Sequence, residues 1–207
     1  MQRIDLFGGA IQAEYPLNIT DASDLRQIPD TQEVYLSNDS DLSIILEVLE
    51  LVREGEADQD LESAIKFHFD SLAHDNSALS SIVSNLSTNP PSNTTTHSSM
   101  RQLPTQVQGP VTLHGIQIVS KFNLPASEAD KVELFVALWR LPQKNTDLVL
   151  SVNLPVGKAS DNAAITTTNG VNGSDAHQQP EAVARAKELF ETIVRTLDIK
   201  DYGLFAG

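Results

Sequence analysis

Two apolar runs separated by a short polar turn place the strongest constraint on the fold of this chain. Residues 132–141, VELFVALWRL, are apolar at both alternating positions of a strand, so both faces of that strand must be covered. A turn at residues 143–145 follows. The chain then returns through four alternating apolar residues: Leu148, Leu150, Val152 and Leu154. This pattern predicts an antiparallel hairpin at the centre of a sheet, with Trp139 in the core.

Helical spacing of apolar residues predicts three helices around this sheet. The first covers residues 42–52 and is preceded by N-cap candidates at residues 38–41. The second covers residues 60–73. The third begins near Pro180 and ends near Leu197. We expect Pro180 to lie in the first turn of this helix, where proline is tolerated.

Alternating apolar residues predict further strands. Residues 7–15 form one strand that is interrupted by a pair of glycines, and residues 34–36 form another. In residues 107–122 the apolar phase changes at Gly115. A bulge at Gly115 would keep both apolar sets on the core face.

Two segments differ from the rest in composition. Residues 76–106 and 157–178 are rich in Ser, Thr and Asn and show no sustained periodicity. We therefore expect flexible segments at residues 84–106 and 157–178. With 207 residues, the chain is expected to form a single domain over residues 1–207 that includes these segments.

Negative charge is concentrated in the first part of the chain. The formal net charge is −14, and residues 1–75 hold 17 acidic and 4 basic side chains, a net charge of −13. Such a field repels nucleic acid and anionic lipid. It attracts a basic protein surface and can raise association rates by about 10- to 1,000-fold. The alternative is that the acidic excess only maintains solubility.

Motifs for catalysis and cofactor binding are missing from the sequence. It contains no cysteine, and it lacks GxSxG, HExxH, a Rossmann glycine set and a phosphate-binding loop. The five histidines are scattered, and the six-residue spacing of His68 and His74 suits no helical metal site. We predict no catalytic residue, no metal site and no cofactor. No apolar run approaches 18 residues, and the first 16 residues lack a signal-peptide pattern, so no membrane span is expected.

The segment 21–36, DASDLRQIPDTQEVYL, carries charges around a proline at positions that neither a helix core nor a strand core requires. Proline fixes its own φ and disfavours helix at the preceding residue, so a short helical turn should end before Pro29. A strand should begin near Glu33. We predict that this segment presents a partner-binding surface of six residues: Asp21, Asp24, Arg26, Pro29, Asp30 and Glu33.

The same segment takes part in a resemblance to the Mog1 family, in a fungal-type member. The motifs are LFGGAI at residues 6–11, the segment 21–36, TDLVLSVNLP at residues 146–155 and a closing LF at residues 204–205. They occur in order along nearly the whole chain. The resemblance implies an α/β fold of the Mog1/PsbP type, in which an antiparallel β-sheet is sandwiched between helical layers.

The resemblance also implies a function. Members of the family bind the small GTPase Ran, promote release of its guanine nucleotide and support nuclear protein import as binding regulators rather than enzymes. For this chain it implies that Asp30 and Glu33 contact Ran in its GTP-bound and nucleotide-free forms. They would compete with phosphate for the lysine and magnesium of the GTPase. Alternatively, they would anchor at the rim of the interface while apolar neighbours such as Ile28 and Tyr35 distort the switch loops of Ran. We expect a monomer in the nucleus with a cytoplasmic pool, and a Ran-GTP-binding cofactor in the complex is left open.

Two other hypotheses remain at this point. One is a PsbP-like structural subunit or another non-catalytic binding module, and the missing transit sequence counts against the photosynthetic role. The other is a small-molecule enzyme on the same scaffold, which the missing motifs disfavour. The chain reads PDTQEVY where many relatives read PDNQEVF, a difference that keeps both acidic residues.

Overall fold

The computed structural model describes residues 1–88, 107–120, 128–159 and 175–205, and for residues 175–178 it describes the backbone alone. These residues form two antiparallel sheets and two α-helices. The small sheet consists of β1 (Gln2–Leu6), β2 (Ile11–Tyr15) and β10 (Asp198–Ile199), with β2 in the middle.

The large sheet has seven strands. Its strands are β3 (Ile19–Asp21), β4 (Gln32–Ser37), β5 (Ser43–Glu50), β6 (Ala78–Ser87), β7 (Gln108–Val119), β8 (Asp130–Leu141) and β9 (Thr146–Lys158). Their order across the sheet is β3-β4-β5-β9-β8-β7-β6. The helices are α1 (Leu61–Asp75), between β5 and β6, and α2 (Asp175–Thr196), between β9 and β10.

The predicted central hairpin is confirmed as β8 and β9. The two strands pair antiparallel from Val132 opposite Pro155 to Leu141 opposite Thr146. Trp139 is buried, as expected. Because β5 and β7 flank the pair, the hairpin lies at the centre of the large sheet.

Two apolar clusters cover the two faces of the large sheet. Leu134, Val136 and Leu138 of β8 pack in the cluster that includes α1. The intervening Phe135 and Ala137 pack in the cluster that includes α2 and the small sheet. This division follows from the alternation of side chains along a strand. The predicted arrangement of an antiparallel sheet between helical layers is confirmed, with the small sheet on the α2 side.

Two of the three predicted helices are confirmed. Helix α1 begins after Asp60, whose carboxylate accepts the backbone N–H of Ser63 at 2.8 Å and caps the helix. Helix α2 covers the third predicted helix, but it begins five residues before Pro180 rather than at it. A proline at this position removes a single intrahelical hydrogen bond and leaves the later turns of the helix intact.

The first predicted helix, residues 42–52, is wrong: this segment forms strand β5. In SIILEVLE the apolar side chains satisfy helical spacing and strand alternation equally well. The segment forms a strand rather than a helix because it pairs with both β4 and β9. The N-cap candidates at residues 38–41 therefore lie in the turn between β4 and β5.

The expectation of one interrupted strand over residues 7–15 is also wrong. The glycine pair lies in a 3-10 turn, Phe7–Gly9, that joins β1 to β2 as a hairpin. Phe7, Gly8 and Gly9 all have positive φ, at 49°, 64° and 94°. A chain in this left-handed conformation reverses direction and cannot continue as a strand.

The expected bulge at Gly115 is absent. Strand β7 pairs with β8 without interruption from Val111 to Val119, and the register shift in this region lies on β6, next to Val83. Gly115 is required for another reason, because a Cβ atom there would lie 2.5 Å from the ring of Phe69. The two apolar phases of β7 face the two sides of the sheet.

The flexible segments were predicted with boundaries that are too wide. Residues 84–87 belong to β6, residues 157–158 to β9, and residues 175–178 have helical backbone. Composition hid β6 because four of its ten residues are serines and its apolar residues do not alternate regularly, yet the strand pairs with β7. The rest of both predicted segments, residues 89–106 and 160–174, lies outside the described residues. In the part of the chain that the structure describes, no helix is long and apolar enough to cross a membrane.

Candidate functional site

The predicted partner-binding segment lies at one edge of the large sheet, in the loop of residues 22–31 that joins β3 to β4; we call it the acidic loop. It begins with a 3-10 turn, Ala22–Asp24, which the Asp21 carboxylate caps by accepting the N–H of Ser23 at 2.8 Å. Ala22 is buried and fixes the turn against the sheet. The predicted helical turn before Pro29, and the strand that begins near Glu33, are thus observed.

Backbone hydrogen bonds hold the rest of the acidic loop. The N–H groups of Leu25 and Arg26 both donate to the carbonyl of Ala22, each at 3.0 Å. At the other end the N–H of Gln32 donates to the carbonyl of Pro29 at 2.9 Å. Backbone hydrogen bonds and the Asp21 cap therefore hold both ends of the loop.

Four of the six predicted site residues are exposed, and two are partly buried. Asp24, Arg26, Pro29 and Asp30 are exposed to solvent. Among the described residues, the carboxylates of Asp24 and Asp30 have neither a hydrogen bond nor an ion pair, so both are free to meet a partner. Asp21 and Glu33 are half-buried, and both already make contacts within the chain.

Glu33 links the two sheets. Its Oε1 accepts the backbone N–H of Phe7 in the left-handed turn of the small sheet, and the hydroxyl of Tyr35 donates to the same carboxylate. Burial raises the pKa of Glu33, and the nearby charge of Asp21 adds to that effect, while the Phe7 and Tyr35 hydrogen bonds oppose it. The structure thus separates the two acids that the sequence paired: Asp30 is presented, and Glu33 is engaged.

An aromatic pair lies behind Glu33. The rings of Tyr15 in β2 and Tyr35 in β4 meet edge to face, with centroids 5.2 Å apart. Burial raises the pKa of both phenols, so both remain protonated. Beyond the turn, Ala10 accepts the backbone N–H groups of Lys200 and Asp201 at 2.8 and 3.1 Å. Contacts therefore join the small sheet, β4 and residues 198–201 next to the end of the acidic loop.

The apolar neighbours expected at the surface are largely withdrawn. Tyr35 is only 8% exposed and Ile28 is half-buried, whereas Leu25 is 67% exposed. The spacing of Leu25 does not distinguish an inward leucine from an outward one. Only its position between two charged residues, Asp24 and Arg26, indicates that it is exposed.

A second cluster of ionisable groups is closed to solvent. Asp147 accepts hydrogen bonds from Arg140 Nε at 2.9 Å, Arg140 Nη2 at 3.0 Å and the N–H of Val52 at 3.1 Å, and its Oδ2 lies 2.9 Å from His68 Nε2. Arg140 also donates to the carbonyl of Ala57 at 2.6 Å. Burial alone would raise the pKa of Asp147, but the hydrogen bonds from His68 and Arg140 hold it below its usual value. All three side chains are buried, so the cluster fixes the segment before α1 to the sheet rather than serving as an open site.

Comparison with known proteins gives concordant results. A sequence model of the family described as Ran-interacting Mog1 protein matches residues 4–155. The Ran guanine nucleotide release factor of Danio rerio is 32% identical over 206 residues, which cover 97% of this chain and 97% of that protein. The nuclear import protein mog1 of Schizosaccharomyces pombe is 31% identical, with 98% of this chain and 100% of that protein covered.

The similarity extends to three dimensions. The solved structure of the Saccharomyces cerevisiae Ran-binding protein Mog1p superimposes with a TM-score of 0.66 at 28% sequence identity. The superposition covers 99% of this chain and 98% of that one. Sequence and structure together confirm the predicted family, and the chain belongs to the family of the Ran-interacting Mog1 protein.

Proposed function

We propose that this protein binds the small GTPase Ran and promotes release of its bound guanine nucleotide, and thereby supports nuclear protein import. The observation that carries the proposal is the acidic loop, which presents Asp24 and Asp30 without partners among the described residues on an ordered backbone. Relatives named Ran guanine nucleotide release factor and nuclear import protein support the choice of partner. The partner surface consists of the six predicted residues: Asp21, Asp24, Arg26, Pro29, Asp30 and Glu33.

The proposed mechanism is differential binding. A release factor lowers the affinity of a GTPase for its nucleotide only if it binds the nucleotide-free state more tightly than the nucleotide-bound state. The exposed carboxylates suit this task, because they can compete with phosphate groups for a lysine of the GTPase. No covalent bond is made or broken in such a cycle, so the protein acts as a binding regulator and not as an enzyme.

The two acids have different parts in this proposal. Asp30 is exposed and can contact Ran directly. Glu33 contributes the part of its carboxylate that remains accessible, and its bond to Phe7 keeps the start of β4 in place. The acidic field of residues 1–75 adds a long-range attraction to a basic surface. The protein acts as a monomer in the nucleus and has a cytoplasmic pool.

The test compares three forms of Ran. Purified full-length protein is passed over immobilised Ran in its GDP-bound, GTP-bound and nucleotide-free forms, and affinities are measured. We expect the highest affinity for nucleotide-free Ran and accelerated loss of a fluorescent guanine nucleotide on addition of the protein. Equal affinity for all three forms would contradict a release function, and no binding to any form would contradict the choice of Ran.

A further inference from the structure

The acidic loop displays one large apolar side chain among its charges. Leu25 is 67% exposed, while Ala22, three residues earlier, is buried. The backbone N–H of Leu25 donates to the Ala22 carbonyl at 3.0 Å, so the residue is held by an ordered turn and does not lie in a frayed segment. The outward direction of Leu25 is therefore a property of the fold.

The surroundings of Leu25 match the centre of a protein interface. Asp24 and Arg26 flank it in the chain, and Asp30 lies five residues further on, all of them exposed. Interfaces commonly combine a desolvated apolar centre with a charged or polar rim, and a few central residues contribute most of the binding energy. Leu25 and the exposed charged residues next to it in the chain, Asp24 and Arg26, are the types of residue that such a centre and rim combine.

Exposure alone does not define a binding residue, because single exposed leucines are common on protein surfaces. The chain itself provides the comparison. Leu17 is 70% exposed, slightly more than Leu25, but it precedes β3 and lies outside the acidic loop. Any effect of general surface hydrophobicity must be the same for both leucines, whereas an effect of the acidic loop is specific to Leu25.

We propose, on the basis of the proposed function, that Leu25 is the apolar contact residue of the Ran-binding surface and inserts into an apolar recess bordered by basic side chains of the GTPase. The carboxylates govern encounter, because charges at the rim act over several ångströms and mainly change association rates. Leu25 governs the lifetime of the complex, because truncation of a desolvated contact mainly changes dissociation.

The experiment uses the full chain with Leu25→Ala, and Leu17→Ala as the matched control. Affinity for nucleotide-free Ran, its two rate constants and nucleotide release are measured at low and high salt. We expect Leu25→Ala to weaken binding by roughly tenfold or more, mainly through faster dissociation. We expect Leu17→Ala to stay within about twofold of the unchanged protein. The salt dependence of association should be the same in all three proteins, because neither substitution alters charge.

A third variant separates contact from support of the fold. Leu25→Met keeps a flexible apolar side chain and should bind within about threefold of the unchanged protein. If Leu25→Met binds as weakly as Leu25→Ala, or if Leu25→Ala binds like Leu17→Ala, the contact role of Leu25 is overturned while the proposed function stands. If the unchanged protein does not bind Ran, the proposed function fails and the role of Leu25 fails with it.

Discussion

Replacement of Glu33 distinguishes the acceptor role of its carboxylate from its charge. Glu33→Ala removes the acceptor of the Phe7 N–H and of the Tyr35 hydroxyl at the junction of the two sheets. A buried donor without an acceptor costs about 1–3 kcal/mol of stability. Phe7 also has a positive φ of 49°, an unfavourable conformation for a non-glycine residue, and the bond to Glu33 helps to keep it there.

Glu33→Gln retains a carbonyl oxygen for the Phe7 N–H and an amide that can donate to the Tyr35 oxygen. It loses a charge-assisted hydrogen bond, but it also removes a carboxylate whose charged form is disfavoured by burial and by Asp21. These effects oppose each other, so we expect Glu33→Gln to lie within about 1 kcal/mol of the unchanged protein. Glu33→Ala should lie about 1–3 kcal/mol below it.

The pH dependence provides a second readout for Glu33. Because its folded-state pKa lies above the ordinary value of 4.5, the folded protein binds the Glu33 proton more tightly than the unfolded chain does. This contribution to stability is fully present below pH 4.5 and is lost as the pH rises through the folded-state pKa. The stability of the unchanged protein relative to Glu33→Gln should therefore fall as the pH rises above 4.5.

Urea denaturation across this pH range measures both effects, with Glu54→Ala as the control because Glu54 is an exposed acid outside the acidic loop. The midpoint of thermal unfolding should follow, at about 2–4 °C per kcal/mol for a domain of this size. Equal stability of Glu33→Ala and the unchanged protein would refute the structural role of the bond. Equal losses in Glu33→Ala and Glu33→Gln would show that charge, not the acceptor, matters.

Two further predictions concern stability and association. Asp147→Asn leaves Arg140 buried without its carboxylate partner and should reduce the free energy of unfolding by about 3–5 kcal/mol. Denaturant titration at neutral pH measures this loss, and a loss below about 1 kcal/mol would contradict the role of this cluster. The lowered pKa of Asp147 means that its contribution is present above pH 3.8 and is lost as the pH falls through the folded-state pKa, so the difference from Asp147→Asn should shrink below pH 3.8. Association with Ran should slow as salt rises, because exposed charges are screened over about 8 Å at physiological ionic strength. Stopped-flow rates that do not change with salt would show that the acidic excess of residues 1–75 only maintains solubility.

The sequence predicts the centre of the fold well because the pattern there allows one solution. Residues 132–141 are apolar on both faces, so a strand covered on both sides is required, and β8 occupies that position. The pattern of β5 allows two solutions. Its apolar residues suit a helix as well as a strand, and only pairing with β4 and β9, which joins distant parts of the chain, makes it a strand.

The same distinction applies to the candidate site. The position of the acidic loop follows from local chemistry, since Pro29 prevents a helix from running through the segment and closely spaced charged residues are rarely buried. The bond from Phe7 to Glu33 joins residues that are 26 positions apart and depends on how the two sheets meet. No local pattern indicates such a contact. The exposure of Leu25 depends on the course of the acidic loop in the same way.

Replacement of Asp30 decides whether the acidic loop is the surface that acts on Ran. Asp30→Lys inverts an exposed charge that has no partner among the described residues, so the fold should be unchanged by circular dichroism. Glu54→Lys is the matched control, because it makes the same change of net charge at another exposed position within residues 1–75.

The measurement is the rate at which Ran loses a fluorescent guanine nucleotide in the presence of each protein. We predict that Glu54→Lys acts like the unchanged protein and that Asp30→Lys loses most of its activity. The loss should correspond to at least about 1 kcal/mol of binding free energy, because an attraction between opposite charges is replaced by a repulsion between like charges. Release by folded Asp30→Lys at the same rate as by the unchanged protein would contradict the assignment of the acidic loop as the functional surface.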